Sequence, residues 1–124
     1  MNTTSQTAVL PDAVAAYIQA VNAFDVDAVM TTFAVDAVVN DVHREFADPA
    51  SIRAWVRHEI VGDKVTMDVI EVVNHRTFTI IRARYDGEYD KTNLPDELVL
   101  TSYLTVTDDK ISSLVIVHNQ PSPY

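Results

Sequence analysis

Residues 97–119 read ELVLTSYLTVTDDKISSLVIVHN, and their alternation decides the fold. Leu98, Leu100, Ser102, Leu104 and Val106 fall on one side of an extended chain, Val99, Thr101, Tyr103 and Thr105 on the other. Asp108-Asp109 is a two-residue connection, and KISSLVIVHN resumes the alternation with Leu114, Ile116 and His118 on the first side. That is the pattern of a β-hairpin with one apolar face. Upstream, KVTMDVIEVV (64–73) and RTFTIIRARYDG (76–87) make a second such pair about Asn74-His75-Arg76, and YDKTNLPDE (89–97) is the longer link between the hairpins. Thr79, Ile81, Ala83 and Tyr85 take the inward side, and Phe78, Ile80, Arg82 and Arg84 the outward one.

The first half has the other period. Val14, Tyr17, Ile18 and Val21 recur at spacings of three and four after Pro11, and Val26, Val29, Met30 and Phe33 do so after Asp25, a good N-cap. DAVVNDVHREF (36–46) alternates and reads as a strand, with Val39, Asp41 and His43 on one face. Asp48-Pro49 then opens a third helix carrying Ile52, Trp55, Val56, Glu59 and Ile60 and ending near Gly62. The expected architecture is α+β: three helices from the N-terminal half packed in the concave face of a curved antiparallel sheet. Residues 1–10 read as a flexible N-terminal segment, 11–120 as one domain and 121–124 as a C-terminal tail.

A chain of 124 residues, 48% of them hydrophobic, can bury a sizeable core. Its net charge of −9, from 18 acidic and 9 basic residues with no stripe of Lys or Arg, argues against nucleic acid and anionic membranes as partners. No run approaches the length that spans a bilayer, no export signal opens the chain, and cysteine is absent, which fits a reducing cytoplasm. Two glycines cannot build a phosphate-cradling loop, and the four histidines lack a ligand spacing such as HExxH. Neither a cofactor nor a metal is expected. The outward row of Phe78, Ile80, Val99, Tyr103, Val115 and Val117 would be an apolar patch, which predicts a homodimer through the outer sheet face.

Three polar residues at inward positions are candidates for chemistry. Asp41 reads either as a solvated or turn-capping carboxylate at the strand's rim or as a general base at the mouth of an apolar cavity. Tyr17 reads as a core tyrosine or as a hydrogen-bond donor to a developing oxyanion. His118 reads as structural, or as an acid, a base or the partner that orients Asp41. Trp55, Val39, Leu100, Leu104, Ile116 and Phe33 are the expected walls of a pocket for a small hydrophobic molecule, with Ser102 among them.

The run AAYIQAVNAFDVDAVMTTFAVDAVVNDV (15–42), with FA-x-DA-x-V leading to an aspartate, resembles the first helices and strand of bacterial steroid delta-isomerase. The element order is similar to the fold that this enzyme shares with nuclear transport factor 2 and the SnoaL-type polyketide cyclases. The similarity spans roughly Asp12 to Gln120. It implies a proton-shuttling base at Asp41 and an oxyanion donor at Tyr17. The isomerase's second donor, a protonated aspartic acid, falls on Ser102. The cyclases and dehydratases of this fold pair an aspartate with a histidine, which Asp41 and His118 match. Limonene epoxide hydrolase, another relative, uses an Asp-Arg-Asp set, and Arg53, Arg82 and Arg84 do not have positions that supply its arginine. The resemblance implies a cofactor-independent isomerase or cyclase acting on a hydrophobic carbonyl compound. The other reading is a non-catalytic ligand-binding or dimerisation module. Whether Asp41, Tyr17 and His118 meet in one cavity separates the two.

Overall fold

The computed structural model describes residues 9–92 and 94–118. Of the terminal segments expected from the sequence, residues 1–8 and 121–124 lie outside that description.

Pro11 caps helix α1 (Asp12–Asn22), whose buried stripe is Ala13, Val14, Tyr17, Ala20 and Val21. Asp25 starts α2 (Val26–Thr31), its carboxylate accepting from the Ala28 N–H at 3.0 Å. Asp48 does the same for Ser51 at the start of α3 (Pro49–Trp55), at 2.8 Å. Helix α3 does not stop at Trp55. It widens into a π-helical turn, Val56–Val61, which the apolar spacing does not announce.

The sheet has six strands: β1 (Phe33–Asp41), β2 (Arg44–Phe46), β3 (Thr66–Asn74), β4 (Thr79–Asp86), β5 (Leu98–Thr107) and β6 (Lys110–His118). Their spatial order is β2-β1-β6-β5-β4-β3. The helices pack on one face of this curved, unclosed sheet, α1 against β3, β5 and β6, and α3 against β1 and β2. Val39, Ile81, Leu104, Leu114 and Ile116 of that face are all buried, as alternation requires. The class is α+β, with two differences from the sequence reading. Strands β1 and β6 run parallel; they start together, where the Ile111 N–H donates to the Thr32 carbonyl at 2.8 Å. The stretch 36–46 is also not one strand but the end of β1, a turn at Val42-His43, and β2. The outer face is less open than the sequence suggests. Tyr103 is exposed, while Phe78, Ile80, Val99, Val115 and Val117 are half-buried by their neighbours. No helix among the described residues is long and apolar enough to cross a membrane.

Candidate functional site

Asp41 is the last residue of β1, and the hairpin places Arg44 directly opposite it. The two turn residues, Val42 (φ 48°) and His43 (φ 74°), lie in the left-handed region. Such a turn matches the twist of its strands, but it strains a β-branched residue. It is held by the Val42 N–H, which donates to the Ile116 carbonyl, and the His43 N–H, which donates to Asn40 Oδ1, both at 3.0 Å.

Arg44 bridges two carboxylates. Its Nη2 donates to Asp41 Oδ2 at 2.9 Å and to Glu59 Oε1 at 2.7 Å, and its Nη1 donates to Glu59 Oε2 at 2.9 Å. The hydrogen bond to Glu59, ahead of the charges of Glu59 and Asp41, raises the guanidinium's pKa against the desolvation that opposes it. Trp55, buried on α3, donates its indole N–H to the same Asp41 Oδ2 at 3.0 Å. Both donors fall on Oδ2. The other oxygen, Oδ1, accepts from neither, so the carboxylate is oriented while one oxygen is left to take a proton.

Beside Asp41 lies a cavity of about 150 Å³, lined by Trp55, Glu59, Ile60, Asp63, Val65, Tyr85, Tyr89, Leu98, Leu100 and Ile116. Glu59 and Ile60 reach it from the π-helical turn, a widening that recurs at functional sites. Tyr85 is partly buried on the wall, and its hydroxyl oxygen is fully buried with no hydrogen-bond partner among the described residues. Ser102 lies near enough to ease the ionisation of that hydroxyl without reaching hydrogen-bonding geometry. Burial, and secondarily the charge of Asp41, push the Tyr85 phenol from 10.0 up to about 12. Burial pushes Tyr17 well above its ordinary value as well, with Tyr85 and Asp41 adding to the effect. Both phenols therefore remain protonated donors throughout the neutral range.

A pH dependence of stability follows. The fold disfavours these phenolates, so stability is intact below pH 10 and falls as pH rises toward 12, when the unfolded chain ionises first. For Tyr85 the loss is roughly 2–3 kcal/mol. Urea unfolding between pH 9 and 12 should show this decline, and it should be shallower in Tyr85→Phe. An identical decline in that variant counts against the assignment.

The structure brings together Asp41, Trp55, Leu100 and Ile116 of the residues singled out from the sequence. Tyr17 is buried with its ring edge-on to Phe33 at 5.8 Å, close enough to feel Asp41 and Tyr85 but not on the lining. Ser102 is buried near the Tyr85 hydroxyl and does not line the cavity. Val39 and Leu104 are enclosed in the packed core, and Phe33 faces a separate groove with Met30 and Ala34. His118 has inward parity but is exposed at the end of β6, opposite Leu100, and does not line the cavity, because parity fixes a side and not a depth. Arg44, Glu59 and Tyr85 are site residues that sequence reasoning missed. Glu59 had a signal, being four residues from Trp55 on the apolar stripe, and Tyr85 had inward parity. Arg44 had none, since only the turn at Val42-His43 brings it back. Among the described residues no cluster of three or more His, Asp or Glu side chains is placed to hold a metal ion.

Among solved structures, the chain is similar to a candidate polyketide cyclase from Sinorhizobium meliloti, at 28% identity and a TM-score of 0.78, covering 87% of this chain and 95% of that one. It shares its fold with SalBIII, an epoxide hydrolase/cyclase-like enzyme of pyran ring formation in salinomycin, at 19% identity and a TM-score of 0.76, covering 88% and 89% of the two chains. A protein from Catenulispora acidiphila with a ketosteroid isomerase-like fold is also similar, at 20% identity and a TM-score of 0.74, with 92% and 90% covered. No curated protein matches the chain. The model of the SnoaL-like domain matches residues 14–114, most of the described structure, and the chain belongs to the SnoaL-like domain family.

Proposed function

We infer that the protein is a cofactor-independent isomerase or cyclase acting on a small hydrophobic carbonyl compound. The observation that supports this best is the Asp41 carboxylate, fixed through Oδ2 by Trp55 and Arg44, neither of which occupies Oδ1, beside a largely apolar cavity. Oδ1 takes a proton from the carbon next to the carbonyl, and the C–H electron pair moves onto the carbonyl oxygen as an enolate. A phenol hydroxyl stabilises that enolate; Tyr17, the donor to which the family resemblance points, is buried and does not line the cavity. Asp41 then returns the proton at another carbon. The test is conversion of cyclohex-3-enone to its conjugated isomer, with deuterium uptake from heavy water, in wild type and Asp41→Asn. Binding without exchange in wild type would leave the ligand-binding module as the reading.

The reading includes a homodimer and, from the absence of cysteine, a cytoplasmic location. Ile80, Tyr103 and Val115 stand in register across β4, β5 and β6, and Phe78 packs edge-on against Tyr103 at 6.3 Å. A second copy covers this row without burying an unpaired charge, since Arg82 is paired with Glu71 and Arg84 with Glu97. Tyr103→Glu should shift the protein to monomer in sedimentation at micromolar concentration. A dimer that survives this change uses another face.

A further inference from the structure

We propose that the Tyr85 hydroxyl receives the carbonyl oxygen of the substrate, and that the substrate is compact, about the size of a single six-membered ring. The proposal rests on the reading of Asp41 as a base and adds to it a second contact residue and a size class.

Tyr85 carries the one buried side-chain polar atom among the described residues that has no hydrogen-bond partner. Such an atom is costly to bury, and one carried by a residue on a cavity wall is a candidate to complete its bonding with a ligand that enters the cavity. Tyr85 lies on the wall of the cavity that Asp41 lines. It comes from β4, three strands from β1 in the order β1-β6-β5-β4, roughly 14 Å away were the sheet flat. The curl of the sheet closes that gap until both residues border one cavity of about 150 Å³. A base and a donor on opposite strands of one cavity suit a molecule that offers an acidic C–H to the first and an oxygen to the second. Ser102 and Tyr17, both buried, lie near enough to Tyr85 to interact with it electrostatically.

Volume sets the size. An apolar cavity of about 150 Å³ holds a benzene-sized molecule, whereas drug-sized ligands occupy roughly 300 Å³ or more. The wall that limits it is Tyr89 and Leu98, which separate it from an outer hollow containing Asp68, Asp96 and Lys91. A fused four-ring ligand does not fit without displacing that wall into charged surroundings.

The experiment uses cyclohex-2-enone labelled with ¹³C at the carbonyl, followed by NMR in wild type, Tyr85→Phe and Asp41→Asn. In wild type the carbonyl signal moves downfield on binding, as it does when the oxygen accepts a hydrogen bond. Tyr85→Phe should abolish that movement and weaken binding about three- to tenfold, the worth of one neutral hydrogen bond. It should leave cyclohexene binding unchanged and raise the melting temperature, because the unpaired hydroxyl is gone. Tyr85 as a purely structural residue would give the opposite sign of melting shift. An unaltered carbonyl shift in Tyr85→Phe overturns the assignment of Tyr85 and leaves the role of Asp41 standing. Equal affinity for a steroid enone overturns the size class. A Tyr85-dependent shift with no Asp41-dependent deuterium exchange overturns the acid–base reading alone.

Discussion

Asp41→Asn is expected to slow the isomerisation of cyclohex-3-enone by about 10²–10⁴-fold, the range that a positioned general base contributes. Asparagine keeps the shape of the side chain and an oxygen for the Trp55 N–H, but its amide cannot take up the proton. The fold should hold. The Asp41–Arg44 ion pair leaves the arginine side chain 53% exposed, and such pairs are worth roughly 0–1 kcal/mol. Glu59 still grips Arg44 through both of its oxygens. A melting temperature near that of wild type, together with the lost rate, therefore isolates chemistry from stability. Arg44→Met is the companion variant. It leaves the base in place but removes one of the two donors that aim it, so the rate should fall less than in Asp41→Asn. Full activity in Asp41→Asn would show that the proton goes elsewhere, with Glu59 and Asp63 the other carboxylates on the cavity wall.

What the sequence made legible here was periodicity, and what it hid was convergence. Alternation along β4, β5 and β6 assigns the buried side correctly at Ile81, Ala83, Leu100, Ser102, Leu104, Leu114 and Ile116, because a strand's side chains have only two directions to take. It does not tell how far along the strand the helices reach, so His118 and Ile116 share a side yet differ in burial. Asp41 was visible as a carboxylate on an apolar face. The group that holds it was not, because Val42-His43 carries none of the Asn-Gly or Asp-Gly chemistry that marks a two-residue turn. Without that turn, Arg44 reads as the continuation of a strand into solvent. Glu59 was obscured differently. Its spacing from Trp55 is helical, and the π-helical widening after Trp55 is where the actual path departs from that spacing.

Trp55→Ala should cost about 3–5 kcal/mol of stability, the usual penalty for emptying a buried aromatic site. For a domain of this size that is a fall of on the order of 10–20 °C in Tm. Trp55 is only 2% exposed, and its ring stacks on Phe46 of β2 with centroids 6.0 Å apart. It therefore joins α3 to the hairpin that carries Arg44, and its loss loosens the base as well as the core. Trp55→Phe separates those two effects. Phenylalanine retains most of the packing against Phe46 but not the N–H that donates to Asp41 Oδ2. It should lose roughly 1 kcal/mol, the net value of a typical hydrogen bond, plus whatever small void remains. Its rate of isomerisation should nevertheless fall further than its stability explains, since one of the two donors that orient the carboxylate is gone. Equal Tm losses in the two variants would place the stability in the hydrogen bond instead of the packing. An unchanged rate in Trp55→Phe would mean that Arg44 alone is enough to aim the carboxylate.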